Sequence, residues 1–289
     1  LHVGGTVAGT SFNGIPFYTE GTSMYTSNVS ATDGASAATE NTAYGSTAMD
    51  AITTGDNNTA IGYAAAGLLS TGTANTIIGS LAGDALTLGS YNVALGYNAL
   101  STEDANGRNV AIGSSALTTL NAGQDAYNIA IGYGAGYAMT LGVQNVIIGG
   151  LAGDSLTSGN YNTAIGYAAL SLEDGHGTNV AVGRAALNVL NAGQDAFNVA
   201  VGYNAGVAMS KGVYNTVLGG RAGDSINIGD DNVAVGYLAL SGTGPGNKNT
   251  AIGKGALQIA SQTFALASGA YNNDPTVTMA ASSAVEVGM

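Results

Sequence analysis

The sequence contains no cysteine and no tryptophan, and only 8% of its residues are charged. Without cysteine there is neither a disulfide framework nor thiol chemistry. Lys and Arg number 6 against 18 Asp and Glu, and the net charge is −12. Proteins that bind nucleic acid need basic surfaces. The charge balance therefore argues against a nucleic-acid partner.

Long unbroken hydrophobic runs are also missing. The charge-free stretches are interrupted by Gly, Thr and Asn at fixed spacing, so they are poor candidates for membrane spans, and we expect no membrane insertion. The chain is nevertheless 45% hydrophobic and has 46 Gly among its 289 residues. That is too apolar for a disordered chain, and Gly does not recur at every third position as in collagen. These features predict an ordered, Gly-rich repetitive protein.

One short pattern recurs thirteen times: Asn, then Thr, Val or Ile, then a small or β-branched residue, then mostly Ile, Val or Leu, then Gly. The repeat begins at Asn41, and its spacing is 17 residues, except for 19 after Asn109 and Asn179. We number positions in each unit from this Asn as position 0. Gly at position 4 and Ala at position 7 never vary. The other twelve Asn residues, predicted to support turns as a stacked ladder, are Asn58, Asn75, Asn92, Asn109, Asn128, Asn145, Asn162, Asn179, Asn198, Asn215, Asn232 and Asn249.

The repeat predicts an all-β parallel solenoid of about 13 rungs, with strands about 4.8 Å apart. A unit of 17 residues has room for two strands of about five residues and two turns. It is too short for a strand and a crossover helix. We assign residues 41–257 to this repeat domain, 1–40 to an N-terminal cap or joint, and 258–289 to a C-terminal tail or connector.

The strand residues divide into two faces, because alternate side chains point in opposite directions. Position 2 is Ala in ten of thirteen units, which favours placing it inside a narrow coil. Position 3 is larger and would then point outward, forming an apolar ladder that a soluble monomer would avoid exposing. We therefore predict a homotrimer, intertwined or side by side, although exchanging the two faces would weaken this argument. The proposed interface residues are Ile61, Ile78, Leu95, Ile112, Ile131, Ile148, Ile165, Val182, Val201, Leu218, Val235 and Ile252.

Tyrosine recurs at position 5 of alternate units. Such a row could stack on sugar rings or simply fill gaps over the invariant Gly, and we favour the second interpretation. The possible surface aromatic row comprises Tyr63, Tyr97, Tyr133, Tyr167, Tyr203 and Tyr237.

Acidic residues fall only between positions 9 and 16 of the units, which predicts an acidic, solvent-facing far side of the coil. The pairs Glu103-Asp104 and Glu173-Asp174 are expected to be solvated loop acids, since catalysis needs two carboxylates at a set separation. No catalytic site or cofactor is predicted. A Ca²⁺ site on the recurring Asp residues, such as Asp84 and Asp154, is left open as an alternative. His2 and His176 look isolated, which argues against a zinc site.

The segments "NTAIGYAAL" (162–170) and "NVAIGSSAL" (109–117) resemble the head repeats of trimeric autotransporter adhesins, and even more the repeats of phage fibres and related virion proteins. The resemblance implies a left-handed parallel β-roll, three chains wide. The units here are longer than adhesin-head repeats, and no charged coiled-coil stalk follows them, which favours the virion interpretation.

The expected function is therefore structural: a fibre or adhesin segment of a phage or other virion appendage that presents a host-attachment surface. The expected partners are two further copies of the chain, other virion proteins at the ends, and a host glycan or protein. A bacterial cell-surface or secreted location, as a trimeric adhesin head or a self-assembling filament, is the alternative. An ice-binding solenoid is less well supported, because Thr and Val mix irregularly at position 1.

Overall fold

The computed structural model describes residues 18–20, 23–25, 38–242 and 246–258. These residues form an all-β solenoid in which each repeat unit is one rung, as the sequence predicted. The fifteen strands occur in chain order in a single sheet. The strands are β1 (Tyr18–Glu20), β2 (Ser23–Tyr25), β3 (Thr42–Tyr44), β4 (Thr59–Ile61), β5 (Thr76–Ile78), β6 (Val93–Leu95), β7 (Val110–Ile112), β8 (Ile129–Ile131), β9 (Val146–Ile148), β10 (Thr163–Ile165), β11 (Val180–Val182), β12 (Val199–Val201), β13 (Thr216–Leu218), β14 (Val233–Val235) and β15 (Thr250–Ile252).

Strands β3 to β15 pair in parallel and in the same register, so that equal positions of successive units lie side by side. Ala164 pairs with Ala181, for example, and Ile165 pairs with Val182. The 19-residue units keep this register, because Val110 still pairs with Ile129. Their two additional residues lie in the surface turn around 121–125, most of which is exposed. Insertion into a turn leaves the stack undisturbed.

The prediction of two five-residue strands per unit was wrong, because each unit has one strand of three residues. The rest of the unit consists of turns with left-handed backbone at positions 6, 8 and 16, as at Ala64, Ala66 and Ala74. These turns still pair with their neighbours. Ala64 N–H donates to the carbonyl of Ser46 on the preceding rung, and Ala66 N–H donates to that of Ala82 on the following rung, both at 2.9 Å. The alternating conformation therefore continues the hydrogen-bonded ladder around the coil.

The core is narrow and lined mainly by alanine. Position 2 is buried in every unit, as at Ala60 and Ala164, and so is position 7 in nearly every unit, as at Ala65. Larger side chains fill position 11, including Leu69 and Met139, which are 0% exposed. The position-2 face therefore points into the coil, as the sequence predicted.

The N-terminal strands form a short antiparallel hairpin at the start of the sheet, in which Tyr18 pairs with Tyr25. Strand β2 then pairs in parallel with β3. The hairpin lies within the segment predicted to be a cap or joint. The predicted tail at 258–289 and His2 lie outside the described residues, apart from residue 258.

Candidate functional site

The outer side of the strands carries a continuous apolar ladder. The position-3 side chains proposed for the trimer interface lie in one line, because the strands are parallel and in register. Several are substantially exposed in the single chain, including Ile61 at 37%, Leu95 at 42% and Ile252 at 69%. This ladder is a regular apolar feature that runs along the described rungs.

Position 1 widens the same face. Strands β6 to β9 have Val or Ile at position 1 as well as Leu or Ile at position 3, as in Val110 and Ile112 of β7. Ile129 of β8 is 37% exposed. We call positions 1 and 3 of β3 to β15 together the outer strand face.

The tyrosine row at position 5 runs along one border of this face. Its six members are between 49% and 65% exposed. Arg184 lies between Tyr167 and Tyr203, with its guanidinium carbon 5.9 and 5.7 Å from the two ring centroids. These distances are those of cation–π contacts. The row is therefore exposed, and Arg184 links two of its rings.

Sequence reasoning missed a second aromatic row directly before the Asn ladder, at position 16 of the 17-residue units and position 18 of the 19-residue units. Phe197 and Tyr214 stack with centroids 5.6 Å apart and an interplanar angle of 11°. Arg108 lies over Tyr91 and Tyr127, at 4.9 and 5.6 Å from their centroids. The recurrence of aromatic residues directly before the invariant Asn was the available signal. Its members are Tyr91, Tyr127, Tyr161, Phe197 and Tyr214, all at least 50% exposed.

The Asn ladder lies buried between the strand and the preceding turn. The side-chain oxygen of each Asn accepts a hydrogen bond from the backbone N–H of the next Asn, as from Asn162 to Asn145 at 2.8 Å. In most units the side-chain amide donates to the carbonyl at position 14 of its own unit, as from Asn145 to Gly159 at 2.8 Å. Asn145 also donates to Asn128 Oδ1 at 3.2 Å. The Asn residues of most described units thereby join two rungs and close their own turns.

The prediction that the paired acids are solvated was wrong for both glutamates. Glu103 and Glu173 are 0% exposed, whereas Asp104 and Asp174 are exposed. Both glutamates occupy position 11, which points into the core in the other described units. Burial raises the pKa of Glu103 above its ordinary value and that of Glu173 to about 7. The far side of the coil is therefore not uniformly acidic and solvent-facing.

Replacing Glu103 by Leu is expected to raise the free energy of unfolding at pH 7 by about 1–3 kcal/mol. Leu86 and Leu120 occupy the same position on the adjacent rungs, and Glu103 Oε2 has no hydrogen-bond partner. Because burial raises the pKa of Glu103 from 4.5, the folded chain binds more protons than the unfolded chain above about pH 4.5. The stability that protonated Glu103 contributes is fully present below that pH and is lost as pH rises through the raised pKa. Urea unfolding of both proteins between about pH 4 and pH 8 should show that the free energy of unfolding falls less with rising pH in Glu103→Leu than in the unaltered chain.

The exposed neighbour provides the control for this experiment. Asp104 is exposed. In Asp104→Asn the free energy of unfolding should therefore change between acid and neutral pH by about as much as in the unaltered chain. An unchanged pH dependence in Glu103→Leu would contradict the assignment of the buried charge to Glu103.

The aspartates considered for Ca²⁺ do not meet one another within the chain. Asp84, Asp154 and Asp224 are each separated by 70 residues, or four rungs, which corresponds to roughly 19 Å along the stack. Asp84 Oδ1 and Asp154 Oδ1 are buried without partners, and burial raises the pKa of both residues. Asp224 pairs with Arg221 at 3.0 Å. No two of these three aspartates therefore share a rung or can bind one ion together within a single chain.

His176 is not isolated, which corrects the sequence-based expectation. Its Nδ1 lies 3.6 Å from Glu173 Oε1 and 4.0 Å from Asp174 Oδ1. These three residues can present ligand atoms within 4.8 Å of one another. The spacing E-D-x-H was the signal available in the sequence.

A surface cleft of about 310 Å³ lies beside the tyrosine row and is lined by Tyr133, Tyr137 and Asp154 together with smaller residues. It contains one carboxylate.

Among the residues described, no helix is long and apolar enough to cross a membrane. Comparison of the chain with protein-family models, with curated proteins and with solved structures gives no significant match.

Proposed function

We propose that this chain is a structural segment of a trimeric fibre or adhesin, in which the outer strand faces of three copies pack against one another. The observation that carries the proposal is the apolar ladder along β3 to β15, which a single chain leaves partly exposed. Soluble monomers rarely expose large contiguous apolar patches. Burial by other copies removes the whole ladder from water at once.

The proposed role is to build length and to present a surface. Each rung adds one more set of backbone hydrogen bonds between neighbouring units and extends the particle by about 4.8 Å. Three copies would also repeat every weak surface contact three times, which raises the avidity for a host surface. A phage or other virion appendage is the setting that fits this role best, with further virion proteins at the ends.

The placement of the acidic pairs supports a non-enzymatic role. A glycosidase needs two carboxylates that face each other across the substrate. Glu103 lies in the core and its neighbour Asp104 lies on the surface. These pairs therefore lack the arrangement of a catalytic dyad.

The test introduces charge into the proposed interface. The double variant Ile112→Asp with Ile131→Asp would place six carboxylates near the trimer axis, so we expect dissociation or failure to assemble. The matched control is Leu88→Asp with Leu141→Asp, since these side chains are 52% and 56% exposed outside the outer strand face. Light scattering coupled to gel filtration should give a trimer for the control and a smaller species for the face variant. A face variant with the same mass as the unaltered protein would contradict the proposed interface.

A further inference from the structure

A poorly compensated buried carboxylate occupies the core of the second of two 70-residue blocks, 58–127 and 128–197, each made of four units. Glu173 is 0% exposed, and neither of its side-chain oxygens meets the geometry of a hydrogen bond, although the backbone N–H groups of Ala192 and His176 lie near enough to lower its pKa. Leu156 and Leu190 occupy the same position on the adjacent rungs. An unpaired buried carboxylate is costly. The residue at this position therefore requires a cation or proton donor close by.

The loop that follows Glu173 turns two more ligand groups towards it. His176 Nδ1 is buried without a hydrogen-bond partner and lies 3.6 Å from Glu173 Oε1. It also lies 4.0 Å from Asp174 Oδ1, which accepts a hydrogen bond from Gly175 N–H at 2.5 Å. One nitrogen and two carboxylate oxygens thus converge at distances too long for direct hydrogen bonds.

The surrounding charge is negative on the adjacent rung as well. Asp195 accepts a hydrogen bond from Gly177 N–H at 2.9 Å, and its charge contributes to raising the pKa of Glu173. The residue beside Gly177 is Thr178, which brings no positive charge. Glu173 and Asp174 therefore lie beside the imidazole, and Asp195 adds a third negative charge near Glu173.

The equivalent loop in the first block is a natural comparison, because it keeps the acids and differs at three residues after them, one of which is Ala105 in place of Gly175. Asn106 stands where the second block has His176, and its backbone N–H lies 3.3 Å from Glu103 Oε1. Arg108 stands where the second block has Thr178, and it pairs with Asp125 at 2.7 Å. In the first block Arg108 therefore neutralises Asp125, whereas the second block has an imidazole beside Glu173 and no arginine at the equivalent position.

From this geometry we infer that Glu173, Asp174 and His176 form a binding site for one divalent first-row transition-metal ion. Imidazole with carboxylate is a donor set that suits Zn²⁺ and its neighbours. Ca²⁺ takes six to eight oxygen ligands, which this site does not offer. The ion would neutralise the buried Glu173 carboxylate and tie the surface loop to the core, with water completing the coordination.

The experiment measures binding of Zn²⁺ to the metal-free full chain by calorimetry, with Co²⁺ absorption as a second readout. We expect one ion per chain and Co²⁺ ligand-field bands in the visible range. His176→Asn converts the loop towards the first block and should weaken binding at least 10-fold and remove the bands. Glu173→Gln should do the same, and Zn²⁺ should raise the melting temperature of the unaltered chain but not of either variant.

The control is Glu103→Gln, which alters the equivalent buried acid of the first block and should bind Zn²⁺ as the unaltered chain does. Circular dichroism spectra that match the unaltered chain establish that each variant keeps the solenoid. Binding that persists in His176→Asn, or that is lost in His2→Ala instead, would overturn the inference, as would the absence of binding to the unaltered chain. A variant that fails to fold is replaced by Asp174→Asn, whose side chain is exposed, with the same expected loss.

Discussion

Gly149→Ala is expected to destabilise the solenoid by roughly 2–6 kcal/mol through overpacking and backbone strain. A Cβ atom at Gly149 would lie 2.6 Å from the carbonyl carbon of Gly166 on the next rung, and φ is +133°. The obstacle is backbone that is fixed by the strand pairing, so no side chain can move aside. The same glycine position recurs in every unit, and in nearly every unit a Cβ atom there would meet the backbone of the next rung.

The adjacent residue is the matched control. A Cβ atom at Gly150 would meet the ring of Tyr167 at 3.6 Å, which is ordinary van der Waals contact. Urea unfolding of the two variants at one protein concentration, since assembly makes stability concentration-dependent, should show a large loss only for Gly149→Ala. Equal midpoints for the two variants would contradict the close backbone approach.

Asn145→Ala is expected to cost about 3–5 kcal/mol, because the substitution leaves several buried groups without partners. The backbone N–H of Asn162 would lose its acceptor at 2.8 Å, and the carbonyl of Gly159 would lose its donor at 2.8 Å. Asn128 Oδ1 would lose a further contact at 3.2 Å. All of these groups lie in the interior of the stack, where water cannot replace the missing partners.

The preceding residue again supplies the control. Gln144 is exposed, so Gln144→Ala should change the free energy of unfolding by less than about 0.5 kcal/mol. Thermal unfolding followed by circular dichroism distinguishes the two variants. A loss at Asn145 no greater than the loss at Gln144 would show that the Asn ladder contributes little to stability.

The period and the inward face were predictable because each follows from packing in a narrow coil. Only Gly tolerates the contact at position 4, and the narrow coil favours Ala at position 2, with Ile or Val in three units, so residues such as Gly149 and Ala164 recur visibly in the sequence. The outward direction of position 3 follows from strand alternation. What assembles on that face depends on other chains, so the trimer remains a proposal.

The turn conformation was not predictable from residue type. Left-handed backbone is usual for Gly and Asn, yet the chain places Leu81, Ser115 and Tyr161 in it. Pairing with the neighbouring rungs outweighs the local strain at these positions. The Val, Ile and Thr content indicated longer strands. Because the turns also pair with neighbouring rungs, each unit needs only a three-residue strand.

The buried glutamates were missed because they were grouped with the other acids by position along the unit. Position 11 is Ile, Leu or Met in most units, and that regularity would have placed Glu103 and Glu173 inside the coil. A polar residue at a core position was thus the one local departure from the repeat that marked a candidate ligand site. The proximity of His176 depends on the loop conformation, which the sequence pattern alone does not specify.

The central claim is that the outer strand face is buried between copies of the chain, and the mass of the intact protein tests it most directly. Sedimentation equilibrium should give about three times the chain mass of 28.2 kDa, with no dissociation on dilution to nanomolar concentration. A soluble, folded species that sediments as a single 28.2 kDa chain would contradict the account.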